Sequence, residues 1–72
     1  MFYKRFKFVK PLTQPEGEFK VGDEITIMEE RVWFNGGFVT PKYRELLMDL
    51  VEYESNEGWN YLREVPIPYN KL

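Results

Sequence analysis

The sequence predicts an α+β domain: a small curled antiparallel β-sheet with one amphipathic helix before the last strand. Three observations carry that prediction. Thr40-Pro41 opens a stretch in which Tyr43, Leu46, Leu47, Leu50 and Val51 recur at helical spacing. Asn35-Gly36 sits between two apolar runs, the pattern of a tight hairpin. Elsewhere, short alternating apolar runs are separated by Gly- and Pro-containing breaks, as in strands and turns. With 72 residues, the chain reads as one domain, residues 1–72.

The first strand spans Phe2 to Val9. Phe2, Phe6 and Phe8 share one parity and form an aromatic face that Lys4 interrupts. Tyr3, Arg5, Lys7 and Val9 form the other, mostly basic, face. Lys10 to Glu18 contains Pro11, Pro15 and Gly17 and reads as a loop. Gly22-Asp23 is a turn, after which Ile25 and Ile27 open a second strand. The parity then flips, because Val32 and Phe34 are even where the isoleucines are odd. A regular strand cannot turn both sets toward one core. A β-bulge or short bend near Glu29-Glu30 is therefore expected.

A two-residue type I′ turn at Asn35-Gly36 sets Phe34 opposite Gly37 and Trp33 opposite Phe38. Trp33 and Phe38 then share one face, and Val32, Phe34 and Val39 the other. Both faces of this hairpin are apolar, so the second needs a cover. The helix runs from Pro41 to about Glu54, with its stop in Asn56 to Gly58. Trp59 to Val65 forms the last strand. Pro66-Ile67-Pro68 ends it and confines that end to a sheet edge. This order fits either an SH3-like barrel with a helix before the last strand or an open sandwich.

Composition narrows the function classes. Aromatic residues make up 18% of the chain, enough to build a core without staples. There is no cysteine and no histidine. Disulfides, the usual zinc ligand sets, the commonest general base and the strongest nucleophile are therefore missing. No phosphate-binding glycine loop precedes a helix, and so short a chain has little room to enclose a ligand pocket. The expectation is a protein without catalytic activity, cofactor or metal. No apolar run approaches a membrane span, and no signal segment is evident, which points to a cytoplasmic protein.

Charge is unevenly spread within a net of −2. Lys4, Arg5, Lys7 and Lys10 crowd the first ten residues; Glu16, Glu18, Asp23, Glu24, Glu29 and Glu30 follow with Lys20 alone among them. The simplest reading places these segments side by side. On the helix, Glu45, Asp49 and Glu52 form an acidic ridge with Met48 beside it. Lys42 and Arg44 at its start and Glu52 and Glu54 at its end oppose the macrodipole. The basic first strand, lying along the helix C-terminus, would compensate.

Two stretches give the chain a style that resembles small uncharacterised proteins encoded by phages and mobile elements of Gram-positive bacteria. They are Arg31-Val32-Trp33-Phe34-Asn35-Gly36-Gly37-Phe38-Val39-Thr40-Pro41 and Tyr61-Leu62-Arg63-Glu64-Val65-Pro66-Ile67-Pro68-Tyr69-Asn70-Lys71-Leu72. Neither carries a chemical motif. The resemblance implies a protein that acts by binding, often as an inhibitor of a host protein.

The leading expectation is thus a protein-binding or regulatory module. Its contact surface would be the acidic ridge of Glu45, Asp49 and Glu52 with Met48, or the hairpin face of Trp33 and Phe38. An alternative is single-stranded nucleic-acid binding by Tyr3, Arg5, Lys7 and Lys10, which interleave basic and aromatic groups. A third is a structural subunit or homo-oligomer using an exposed sheet edge.

Overall fold

The computed structural model of the chain describes residues 3–15 and 17–66. The expected strand start at Phe2, the side chain of Tyr3 and the Ile67-Pro68 end lie outside the described residues. In chain order the elements are β1 (Tyr3–Phe8), β2 (Leu12–Gln14), β3 (Gly17–Phe19), β4 (Glu24–Met28), β5 (Arg31–Phe34), β6 (Gly37–Phe38), α1 (Pro41–Glu57) and β7 (Leu62–Val65). Five strands form one antiparallel sheet in the order β6-β5-β4-β1-β7, while β2 and β3 form a separate hairpin. The large sheet is open, with β6 and β7 at its edges, so the open sandwich describes the fold and the barrel does not.

The parity flip has a simpler cause than a bulge. Met28 pairs with Arg31, so Glu29-Glu30 is a two-residue reversal and the expected bent strand is two strands. Antiparallel partners point to the same side. Ile27 therefore shares a face with Val32, and Ile25 with Phe34. The Asn35-Gly36 turn is as expected: Phe34 opposes Gly37 and Trp33 opposes Phe38. Both turn residues have positive φ, 52° and 84°, as a type I′ turn requires. Asn35 has a further task. Its Oδ1 accepts from the Glu24 amide at 2.8 Å and its Nδ2 donates to Asp23 at 3.3 Å, tying the turn to the start of β4.

The expected loop at Lys10 to Glu18 contains the β2–β3 hairpin instead, with Leu12 opposite Phe19. This hairpin brings Phe19 into the core, stacked on Phe8 with ring centroids 4.7 Å apart and edge-on to Phe34 at 5.6 Å. Thr40 caps α1 as expected, its Oγ1 accepting from the Tyr43 amide. The helix runs one turn beyond Glu54 to Glu57. It stops at Gly58, whose φ of 98° a β-carbon would oppose.

One side of the sheet is covered. Phe6, Phe8, Ile25, Val32 and Leu62 are buried there together with Phe19 and with Leu47 and Leu50 of the helix. Each such side chain stabilises the fold by roughly 1.5–3 kcal/mol relative to exposure. The helical stripe ends on an unexpected residue. Glu54 is buried at 1% exposure, and its carboxylate accepts the Tyr61 amide at 2.8 Å, holding the approach to β7. No helix among the described residues is long and apolar enough to cross a membrane.

Candidate interaction face

The other side of the sheet has no described element over it. Its composition follows from the register. Arg5 pairs with Thr26 and with Val65, Thr26 with Trp33, and Trp33 with Phe38. Phe38, Trp33, Thr26, Arg5 and Val65 therefore form one row across all five strands. The row crosses four strand spacings of about 4.8 Å, about 19 Å in all. On one flank Lys7 stands between Glu24 and Arg63; on the other, Arg31 pairs with Met28. The expected binding residues of the hairpin and those of the first strand are thus neighbours on one surface.

On β1, β4 and β5 these positions alternate with core residues of the same strand, among them Phe6, Phe8, Ile25 and Val32. None of the face positions is buried. Phe38 is 80% exposed, and its ring lies 5.5 Å from that of the half-buried Trp33. Arg5, Lys7, Arg31 and Arg63 carry positive charge on this face, with Glu24 the acid among them on the strands. The face is therefore basic although the chain is net acidic. The guanidinium of Arg5 is weakly engaged: Nε is buried without a partner, and Nη2 donates to the Pro66 carbonyl at a long 3.4 Å. The long Nη2 bond is the weaker of the two constraints and is the one an incoming anion could replace.

The remaining expected residues fall elsewhere. Lys10 is exposed beyond the end of β1, off the sheet. The expected apposition of charged segments occurs through β1 and β4, where Lys7 faces Glu24. Arg5 and Lys7, however, point away from the helix. They cannot offset the acids at its C-terminus; Lys4, on the covered side, is the basic residue of β1 nearest that end, sharing a cleft with Val51 and Ser55. Glu45, Asp49 and Glu52 are exposed on the helix, so the acidic ridge exists. Met48 is half-buried and packs on the core rather than standing beside the ridge in solvent. Sequence reasoning missed Arg31 and Arg63. The first was legible once Glu29-Glu30 is taken as a two-residue turn, because Arg31 then shares the parity of Trp33. The second depends on the long-range pairing of β1 with β7, for which the chain carries no local signal.

Three concavities of about 270, 320 and 350 Å³ indent the helix side of the molecule. They reach the lower end of ligand-pocket volumes, so chain size by itself separates binding from catalysis less sharply than expected. The smallest lies between sheet and helix, where Phe6, Ile27, Val51 and Trp59 form its apolar wall. Two of its lining residues, Glu29 and Trp59, adopt left-handed backbone with φ of 57° and 62°. For a side chain as bulky as tryptophan this conformation is strained. It is held by the Trp59 amide donating to the Glu54 carbonyl at 2.8 Å and by stacking on Phe6 at 5.6 Å. Among the described residues no group of three or more Asp or Glu side chains is arranged to hold a metal ion.

No protein-family model matches the chain, and neither a curated protein nor a solved structure is similar to it.

Proposed function

We propose that this chain is a non-catalytic binding module that meets its partner through the sheet face that no described element covers. The observation that carries this reading is the Trp33–Phe38 ring pair, exposed on a surface that also presents Arg5, Lys7, Arg31 and Arg63. Tryptophan, tyrosine and arginine are the residue types enriched among interface hot spots. A phenylalanine left 80% exposed forgoes stabilisation that a covering partner would supply. The acidic ridge is the weaker candidate, because a solvated row of carboxylates beside an inward-turned Met48 is what any outer helix surface offers. A cytoplasmic regulator of a host protein, of the kind phages encode, is one form this module takes; the lack of cysteine and histidine supports binding over chemistry.

The test compares two variants of the full chain in affinity co-purification from cells. One carries Trp33→Ser and Phe38→Ser; the other carries Glu45→Lys, Asp49→Lys and Glu52→Lys. Loss of specific partners in the first variant alone is the expected result. Loss in the second alone would move the contact surface to the helix. Light scattering over a concentration series reports self-association through the same face, which the first variant would abolish.

A further inference from the structure

The chemistry of the face says more about what covers it. We infer that the partner is a single-stranded nucleic acid, with bases stacked on Trp33 and Phe38 and phosphates held by Arg5, Lys7, Arg31 and Arg63. This rests on the sheet face being the contact surface, as proposed above.

Two features together select this chemistry. The first is the ring pair, which offers exposed π-surface at one end of the central row. Any base can stack on such a platform, whatever its identity. The second is the set of cations around it. Arg5 lies two strands from Trp33 in the same row, about 10 Å away, with Nη2 engaged by a long 3.4 Å bond to the Pro66 carbonyl. Arg31 is two residues from Trp33 on β5, while Lys7 and Arg63 form the adjoining pair. A single strand carries both flat rings and anionic phosphates along its length, and this face presents groups that match both. An acidic protein surface would satisfy the cations, but its planar side chains do not recur between anions as the bases of a strand recur between phosphates. In a duplex the bases are stacked on one another and reach the rings only after unpairing.

The net negative charge of the chain does not oppose this at physiological salt. The acids Glu45, Asp49 and Glu52 stand on the helix layer, on the far side of the sheet. Layers pack about 10 Å apart, and the screening length at 0.15 M salt is about 8 Å. A strand lying on the sheet is therefore governed by the local charge of Arg5, Lys7, Arg31 and Arg63, moderated by Glu24.

The experiment titrates the full chain into fluorescein-labelled oligothymidine of about ten nucleotides, beginning at low salt where phosphate contacts are strongest. Two to four phosphate contacts predict a slope of log K against log salt between about −1.4 and −2.8. Arg5→Ala should make that slope shallower by about 0.7. Trp33→Ala should weaken binding about 5- to 150-fold and leave the slope unchanged. Circular dichroism confirms that each variant is folded, and Phe38→Ala, at a nearly fully exposed position, repeats the ring test without touching the core. The Trp33 indole resonance should shift on titration while that of Trp59 stays in place. Absence of binding at low salt overturns the inference, as does binding that none of these substitutions alters. If a poly-glutamate peptide displaces nothing from an empty face but itself shifts the Trp33 indole, an acidic protein is the partner; the inference fails and the sheet-face reading stands. If neither probe binds and the Trp33→Ser/Phe38→Ser variant keeps all its co-purifying partners, both fail.

Discussion

The two faces of the sheet are made by the same strands and share almost nothing else. Along β1, Phe6 and Phe8 are buried, while Lys7 between them is exposed and Arg5 just before them is half-exposed. Along β5, Val32 is buried and Arg31 and Trp33 are not. The covered face is closed by two elements, α1 with Leu47 and Leu50 and the β2–β3 hairpin with Phe19. The other face, over which no described element lies, has one aromatic pair, Trp33 with Phe38, and the cations of a contact surface. In so small a domain the first face has to supply most of the stability. The second is then free to be selected for something other than folding.

That division can be broken most forcefully on the covered side. Phe8 is fully buried and stacked on Phe19. Phe8→Ala should cost about 3–5 kcal/mol. That approaches the whole stability expected of a domain this size, so thermal unfolding should show a fall of tens of degrees or no cooperative transition. A smaller effect tests Glu54, the one buried carboxylate among the described residues. Glu54→Ala removes the acceptor of the Tyr61 amide and should cost about 1–3 kcal/mol, read as a lower urea midpoint. Glu54→Gln keeps an acceptor oxygen and should lose clearly less. Equal losses in the two would show that the charge, not the hydrogen bond, matters.

On the uncovered side the same measurements should barely move. Phe38→Ser is expected to change stability by no more than about 0.5 kcal/mol in chemical denaturation. A loss of 2 kcal/mol or more would mean that this face belongs to the folded core and would remove the contrast between the two sides. The finest probe is alkaline pH. Burial, and then the nearby charge of Asp23, raises the pKa of Tyr43 above its ordinary 10.0. The folded state therefore holds this proton more tightly than the unfolded chain does. The associated stability is intact below about pH 10 and is lost as pH rises through the folded pKa. Urea midpoints at pH 9 and 11 should show a larger fall for the wild type than for Tyr43→Phe. An identical fall would assign the alkaline loss to other groups.

What was legible in the chain follows from the range of each signal. The Thr40 cap, the helical stripe and the Asn35-Gly36 turn act within a few residues and appear in the structure where expected. The parity flip at Glu29-Glu30 is legible and points to a bulge or a short bend; that it is a full two-residue reversal is hidden, because neither glutamate is a turn former and Glu29 takes a φ of 57°. The β2–β3 hairpin was hidden by its size. Strands of three residues show no periodicity, and Pro11, Pro15 and Gly17 outweighed the only clue, Leu12 and Phe19 on either side of a turn. The burial of Glu54 has no local signal, since nothing near it in the sequence announces that Tyr61 will come to meet it. For the interaction face, alternation showed its two halves, Arg5 with Lys7 and Trp33 with Phe38. Their union required β1 to lie beside β4, which no short-range pattern encodes.

The strand order carries one further consequence, for the path by which the chain folds. β1, near the start of the chain, is an interior strand, and one of its two neighbours is β7, the last strand described. Arg5 must find Val65, so the closing step joins segments from opposite ends of the sequence. Local hairpins such as β4–β5–β6 can form as soon as they are made, whereas this pairing waits on all the strands and the helix between β1 and β7 and carries the largest loop-closure cost among the described pairings. Until β7 docks, the partly built sheet ends at β1 and presents its unpaired backbone. A ribosome-bound chain would therefore pass through a stage with a sticky N-terminal edge, and Lys4, Arg5 and Lys7, whose like charges discourage edge-to-edge pairing between copies, sit on the strand that is open at that stage.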